Sequence, residues 1–220
     1  VSTRVLFLLA AEGHLVRARP RGTWVSSHYR WARIDRWLDG GLRLPEDEEA
    51  AAGRVVAAWL RAFGPATETD AVWWTGWGKR KTRAALRAAG AVEVALDDGP
   101  GLLLEEDLDP VVDPAPWVAL LPGLDPTTLG WKQRGWYLGK HAGDLFDRNG
   151  NAGPTVWADG RVVGGWAHRE DGEIAVHLLE DPGREARAAI DAEATRLTEW
   201  MGDVVYRARF PTPLEKRLRA

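Results

Sequence analysis

The sequence predicts an α+β protein in which helix-and-hairpin modules precede a small strand-rich domain. Helical and strand periodicities alternate along the 220 residues, a length that allows one large domain or two small ones. The apolar content of 45% is enough to form cores. A stretch with three prolines, 107–116, separates a helix-rich half from a half with short strands and Asp-Gly turns.

Residues 1–40 are predicted to form a helix and a basic hairpin. The helix covers 2–12, and residues 15–19 then alternate apolar and basic side chains. A proline-glycine turn leads into a returning strand at 24–31. Seven arginines against three acids give this block a charge of +4, so we expect phosphate groups to be attracted to it.

Residues 41–106 are predicted to form three helices followed by a hairpin. This order is typical of a winged helix, in which the third helix reads a DNA groove. That helix is basic here, although the segment 41–116 has eight basic and fourteen acidic residues and a charge of −6. The predicted elements are helices at 46–63, from Thr67 or Thr69 to Trp74, and at 78–89, with strands at 92–96 and 102–105.

Residues 117–220 are predicted to form a β-rich, barrel-like α+β domain after the linker at 107–116. Asp-Gly pairs mark hairpin turns between short strands, and a long helix begins at Asp181-Pro182. The charge of this segment is −1. Its predicted strands are 118–121, 155–158, 162–168, 173–179 and 204–210, and its predicted helices are a turn at 125, 140–146 and about 181–201.

Composition excludes several classes of function. No apolar run approaches 18 residues and no segment has the anatomy of a signal peptide, so we expect no membrane span. The absence of Cys excludes disulfides, thiolate metal sites and a Cys nucleophile, and is compatible with a reducing cytoplasm. The five His lack metal-site spacing, and no phosphate-binding glycine loop occurs. These patterns predict a cytoplasmic protein without a metal or cofactor.

A basic cluster on the predicted third helix is one candidate DNA contact. It comprises Lys79, Arg80, Lys81, Arg83 and Arg87. The arginines lie three and four residues apart and therefore share a face. Lysines there suit phosphates, and arginines suit guanine edges. The alternative is a solvated helix face on an acidic domain that serves only as a scaffold.

The arginines of the basic hairpin are the stronger candidate. The set comprises Arg17, Arg19, Arg21, Arg30 and Arg33, interleaved with Trp24, Tyr29 and Trp31. Basic groups beside aromatic rings suit a track for the DNA backbone with a flat surface for an unstacked base. The alternative is that the rings form the core of a small module and the arginine stems cover it.

The β-rich domain supplies a third basic set around a histidine. It comprises Lys132, Arg134, Lys140, His141 and Arg148. Asp144 and Asp147 follow within the same segment and have the chemistry to orient a water molecule or a base. The alternative for both aspartates is a role in helix caps and surface ion pairs.

The 13 tryptophans are interpreted mainly as core residues. Trp73, Trp74 and Trp77 are expected to pack the second helix of the winged-helix segment against the third. Trp157 and Trp166 lie on a predicted hairpin and are expected to face the interior or the rim of the barrel.

Four segments resemble one known family. They read AFGPATETDAVWWTGWGKRKTRAAL (62–86), ARPRGTWVSSHYRWA (18–32), LLPGLDPTTLGWKQRGW (120–136) and FDRNGNAGPTVWADGRVVGGW (146–166). The family is the tandem winged-helix DNA-binding family whose characterised bacterial members are DNA glycosylases. Those enzymes remove alkylated purines and unhook interstrand crosslinks. The resemblance covers nearly the whole chain in the same order.

The resemblance implies three winged helices and a β-rich domain clasped around double-stranded DNA. Residues 1–37 match the second winged helix, 46–106 the third, and 117–210 the β-rich domain. The first winged helix carries the family's catalytic Gln–apolar–Gln or Gln–apolar–Asp triplet and has no counterpart. The single Gln of this sequence, Gln133, does not lie in such a triplet. We therefore leave the catalytic residues unassigned.

Three functions follow as alternatives. The first is a duplex-binding protein related to these glycosylases, either the C-terminal portion of a longer protein or the product of a gene that lost its front. This chain alone is expected to bind double-stranded DNA, alkylated or crosslinked DNA included, weakly and with salt dependence, and to lack glycosylase activity. The second is a non-enzymatic DNA-binding or transcriptional regulatory protein. The third is a structural or protein-interaction module.

Overall fold

The chain forms two compact units, 1–48 and 49–220. The computed structural model describes residues 2–23, 26–43, 47–206, 208 and 210–220. The predicted linker at 107–116 lies inside the second unit, so the helical segment before it and the sheet after it belong to one body. None of the described helices is long and apolar enough to cross a membrane.

The first unit is a helix followed by an antiparallel hairpin and a short helix. Its elements are α1 (Ser2–Ala11), β1 (Leu15–Pro20), β2 (Tyr29–Arg33) and α2 (Ile34–Trp37). Gly13, with φ 79°, ends the first helix as predicted. The described part of the returning strand begins at Tyr29, and just before it the Arg21 N–H donates to the His28 carbonyl at 2.7 Å. Trp24 and Val25 lie outside the described residues.

The second unit begins with three helices and a hairpin, in the predicted order. These are α3 (Glu48–Phe63), α4 (Glu68–Thr75), α5 (Lys79–Ala88), β3 (Ala91–Leu96) and β4 (Gly99–Leu104). A capping box of Thr67 and Asp70 starts α4, and Gly76, with φ 68°, ends it. The helices bury an apolar core around Val56, Trp59 and Leu60.

The rest of the second unit is a four-stranded antiparallel sheet with helices on both faces. Its strands are β5 (Val118–Leu121), β6 (Thr155–Ala158), β7 (Arg161–His168) and β8 (Ile174–Leu178), in that spatial order. The helices are α6 (Gly135–Leu138), α7 (Ala142–Leu145), α8 (Arg184–Met201) and α9 (Pro213–Arg219). Ile190 of α8 packs on one face, and Leu138, Leu145 and Leu214 pack on the other. The whole chain thus combines helices with several small antiparallel sheets.

Two predictions fail at least in part, one about the end of this region and one about the tryptophans of the whole chain. The described residues of 204–210 form no strand; 207 and 209 lie outside the described part of the chain. Helix α9 follows instead, because Thr212 and Glu215 form a capping box and Pro213 occupies the first helical turn. The prediction that tryptophans mostly form cores holds for Trp59, Trp157 and Trp166, which are buried, but fails for half of the described tryptophans. The side chains of Trp37, Trp73, Trp74, Trp117, Trp136 and Trp200 are exposed.

Candidate nucleic-acid interface

The hairpin of the first unit presents arginines beside an aromatic ring. Arg17 and Arg19 alternate with half-buried residues along β1 and are exposed, and Arg21 is exposed in the turn. The guanidinium carbon of Arg17 lies 4.4 Å from the centre of the Tyr29 ring. Edge-to-face packing of Trp31 against Phe7, with ring centroids 5.7 Å apart, supports the hairpin from helix α1.

Two further arginines of the hairpin differ from this group. Arg30 lies between Tyr29 and Trp31 in the strand, so its side chain leaves on the opposite face. Arg33 is exposed but makes a two-point ion pair with Asp35, at 3.0 and 2.6 Å. The hydrogen bond from Arg33 lowers the pKa of Asp35. Arg33 is therefore the hairpin arginine that an internal carboxylate already holds.

Helix α5 has basic residues where its dipole disfavours them. Its first turn contains Lys79, Arg80 and Lys81, and the N-cap residue Gly78 supplies no side-chain hydrogen bond. Cations at a helix N-terminus are unfavourable to the helix dipole, although the Lys81 ammonium lies 4.8 Å from the centre of the Trp77 ring. Arg83 is committed elsewhere, because its Nε donates to Glu68 at 2.8 Å and lowers the pKa of that carboxyl.

A buried carboxylate holds the loop 132–135 against helix α4. Asp70 is 2% exposed. Its Oδ2 accepts hydrogen bonds from the backbone N–H of Thr67 at 3.0 Å and from the Thr67 hydroxyl at 2.7 Å. Its Oδ1 accepts from the backbone N–H groups of Lys132 and Gln133, at 2.9 Å each. The loop is therefore fixed immediately before Arg134.

Arg134 lies between two aromatic rings. Its guanidinium carbon is 5.1 Å from the ring centre of Trp73 and 4.9 Å from that of Phe146. Its Nη1 donates to the carbonyl of Thr128 at 3.3 Å. The same carbonyl accepts from the Tyr137 hydroxyl at 3.2 Å, and burial raises the pKa of Tyr137 to about 12, so the phenol remains a donor at neutral pH.

A cavity of about 540 Å³ opens beside this arginine. Its wall joins the basic loop to the start of α7 and to the turn around Gly150. The residues lining it include Lys132, Gln133, Arg134, Leu138, Ala142 and Phe146. The structure thus brings two of the predicted DNA-binding residues, Lys132 and Arg134, to one site.

The remaining basic residues of this region have different settings. Lys140 and Arg148 are exposed. The turn that carries Arg148 is built on Asp147, whose Oδ1 accepts from the backbone N–H groups of Asn149 and Asn151 at 2.8 and 2.9 Å. Hydrogen bonds from Asn151 lower the pKa of Asp147. Arg148 is therefore exposed on a turn that is held by hydrogen bonds to Asp147.

His141 does not suit the predicted DNA contact. Its side chain is 6% exposed and its Nε2 lies 2.8 Å from Oε1 of Glu180, so the ring is enclosed and paired. Asp144 accepts from Arg217 at 2.6 Å. The two aspartates of this segment are thus engaged in an ion pair and a turn, as in the structural alternative. Among the described residues, no three His, Asp or Glu side chains form a metal-binding group.

Comparison with known proteins identifies the family. A family model described as DNA glycosylase AlkZ-like matches residues 1–200. The chain belongs to this family. Streptomyces sahachiroi DNA glycosylase AlkZ has a similar structure, with a TM-score of 0.74 and 27% sequence identity over 89% of this chain and 54% of that chain. This AlkZ-like chain spans about half the length of that protein. No protein of curated function matches it.

Sequence reasoning missed three side chains of the AlkZ-like chain that shape the loop site. Asp70 was not singled out, although its spacing from Thr67 is that of a capping box. Trp73 was assigned to a core, and Phe146 was not considered. Their approach to Arg134 joins positions far apart in the chain, so no local pattern in the sequence contains it.

Proposed function

We propose that this chain binds double-stranded DNA as the DNA-holding part of an AlkZ-like glycosylase. In this proposal residues 1–40 and 41–106 are two winged helices, and 117–220 is a barrel-like domain beside the duplex. The family match over residues 1–200 carries the proposal. The basic surfaces supply the physical means, because lysine and arginine side chains that neutralise DNA phosphates release counterions and so favour binding.

The proposed DNA contacts lie on basic surfaces of both units. On the first unit, Arg17, Arg19 and Arg21 attract the phosphate backbone, while Arg30 and Arg33 lie at the margin. On the second unit, Lys79 and Arg80 in the first turn of helix α5 contact DNA, and Arg83 contributes while its Nε stays paired with Glu68. The loop region contributes Lys132, Arg134, Lys140 and Arg148. The net charge of −3 then reflects acidic surfaces elsewhere in the chain.

The chemistry proposed for the intact glycosylase is hydrolysis of an N-glycosidic bond in alkylated or crosslinked DNA. A purine alkylated at a ring nitrogen such as N7 carries positive charge and leaves readily, so the enzyme's main task is to position water and stabilise the cationic sugar. The family's Gln–apolar–Gln or Gln–apolar–Asp triplet is absent from this sequence. We therefore expect the chain by itself to bind DNA in the cytoplasm and to leave the base in place.

Two assays on the purified chain test this proposal. Fluorescence anisotropy with a short labelled duplex should show binding that weakens steeply with rising salt. Incubation with DNA containing 7-methylguanine should release no base above background. Binding that is absent, or that salt does not affect, contradicts the DNA-holding role. Release of 7-methylguanine contradicts the expected lack of activity.

A non-enzymatic DNA-binding or regulatory role is the second candidate, and the missing triplet favours it. Such a protein discriminates between base sequences, whereas a glycosylase part discriminates between damaged and intact DNA. Selection of bound duplexes from a random pool separates the two. Enrichment of one motif supports the regulatory role, and preference for alkylated over matched intact duplexes supports the repair role.

A further inference from the structure

Asp70 makes contacts beyond those that a helix cap requires. The matched case is Glu215, the buried capping-box acid of α9. Glu215 accepts from the backbone of Thr212 at 2.9 Å, and its other oxygen pairs at 3.2 Å with Arg219 of its own helix. Asp70 caps its helix in the same way but directs its second oxygen to the backbone of Lys132 and Gln133, outside that helix. The extra bonds therefore order the loop.

Arg134 follows this ordered backbone. Its guanidinium group is restricted by its contacts but keeps N–H donors that are available to a ligand. Two rings and the Thr128 carbonyl hold Arg134. Arginine has five N–H donors, and the bond to Thr128 is the one hydrogen bond found for them among the described residues. None of its nitrogens is both buried and unpaired, because such atoms occur only at Trp131 and Arg219 in the described part of the chain. The free donors therefore reach solvent.

We propose that Arg134 is a preformed binding fork for one phosphate, and that Asp70 is the positioning residue that orients it. The inference rests on the proposed function, since a DNA strand is the source of that phosphate. It deepens the function by separating this contact, which depends on geometry, from contacts that depend on charge alone.

The chemistry of the site favours a phosphate. A planar guanidinium donates two parallel N–H bonds to a phosphate, and little entropy is lost when the fork is already fixed. Exposed Lys132 adds positive charge beside it. The nearby carboxylate of Asp70 does not compete for the fork, because four hydrogen bonds already occupy its oxygens inside the protein.

Duplex binding by four variants tests the geometry. Arg134→Lys keeps the charge but loses the fork, so we expect affinity to fall about 10-fold while the dependence on salt changes little. Asp70→Ala frees the loop and should weaken binding to a similar extent. Asp70→Asn retains an oxygen that can accept from both loop amides, and should restore affinity to within about two-fold of wild type. Glu215→Gln weakens the other capping box and should leave affinity unchanged.

A second measurement tests directly whether the Arg134 guanidinium binds phosphate. In an NMR titration with inorganic phosphate, the side-chain Nε–H signal of Arg134 should shift in the wild-type chain and in Asp70→Asn, and should not shift in Asp70→Ala. This arm reports on free phosphate, and the duplex arm reports on the DNA backbone.

The outcomes separate the two proposals. Wild-type affinity in Arg134→Lys overturns the fork, as does an Arg134 signal that phosphate does not move. Equal losses in Glu215→Gln and Asp70→Ala overturn the positioning role, because general destabilisation then accounts for both. If the wild-type chain fails to bind duplex DNA but its Arg134 signal responds to phosphate, the proposed function fails and the phosphate site stands.

Discussion

The hairpin of the first unit and the loop of the second hold arginines in opposite ways. Arg19 and Arg21 are exposed, and no side-chain partner is found for either among the described residues. Arg134 is half-buried, lies between two rings and follows a loop fixed by a buried carboxylate. A long exposed side chain loses rotamer freedom when it binds, whereas a fixed one has little left to lose.

The two kinds of arginine suit two different roles in DNA binding: general attraction of the DNA backbone, and recognition of one phosphate in a fixed geometry. Exposed arginines act as charges that can follow the backbone in many arrangements, so they suit steering and salt-dependent affinity. A fixed guanidinium accepts a phosphate at one place and in one orientation, so it suits registration of the DNA on the protein. We expect substitutions to have different consequences in the two regions.

The largest effect is expected from removing the hairpin charges. Replacing Arg17, Arg19 and Arg21 together by alanine should lower duplex affinity by about 100-fold at about 0.1 M salt, if each contacts one phosphate. The slope of log affinity against log salt should become shallower by about 2.7. Anisotropy titrations at several salt concentrations measure both quantities.

The matched control keeps the hairpin charge. Arg19→Lys combined with Arg21→Lys should bind within about two-fold of wild type, because point charges suffice where no fixed geometry exists. A loss similar to that of Arg134→Lys would mean that the hairpin also recognises phosphate by shape, and the contrast between the regions would disappear.

The packing around Gly130, just before the loop 132–135, provides the second test. Gly130 accepts a hydrogen bond from Trp59 Nε1 at 3.2 Å, and a Cβ there would collide with the Phe63 ring. Gly130→Ala should therefore lower the free energy of unfolding by about 1–3 kcal/mol. Denaturant unfolding measures the change.

A glycine without crowding serves as the control for this substitution. Gly143 lies in α7, and an added Cβ would meet nothing within 4 Å. Gly143→Ala should leave stability unchanged or raise it by up to about 1 kcal/mol. Equal stability of the two variants would contradict close packing between α3 and the residues before the loop.

Local patterns account for much of the fold but little of the loop site. Helical periodicity and stop signals predicted α3 and α5, and Asp-Gly pairs predicted the turn between β6 and β7. Helix α9 was not predicted, although Thr212 and Glu215 have the spacing of a capping box that starts a helix. The basic residues of the loop were recognised as candidates from composition.

The settings of those candidates depend on tertiary contacts. Arg134 acquires its rings from α4 and from the residue after α7, and the burial of His141 depends on packing around the sheet. Sequence spacing gives no distance between such elements. The candidate charged residues could therefore be identified from the sequence, but their division into fixed, exposed and internally paired side chains required the structure.

The smallest effect is expected from the pair of His141 and Glu180. His141 was predicted as a DNA contact, but its side chain is buried and paired with Glu180. The pKa of Glu180 lies below its ordinary value of 4.5 because His141 hydrogen-bonds to its carboxylate, and the charges of Arg161 and Lys140 act in the same direction. The folded state thus favours the carboxylate. Its stabilising contribution is complete above the unfolded pKa and is lost as pH falls through the lower folded pKa.

Glu180→Gln should therefore melt below wild type at neutral pH, and the gap should narrow between about pH 5 and pH 3. Melting temperatures of both proteins across this range give the gap at each pH, and acid effects shared with other carboxylates cancel in the difference. Glu180 lies beside the exposed Arg161 and Lys140, but a single partly exposed charge contributes little, so duplex affinity at neutral pH should stay within about two-fold of wild type. A gap that is constant with pH would mean that the carboxylate charge contributes nothing and that His141 is held by packing alone. A large loss of affinity would mean that Glu180 and His141 contribute to DNA binding despite the burial of His141.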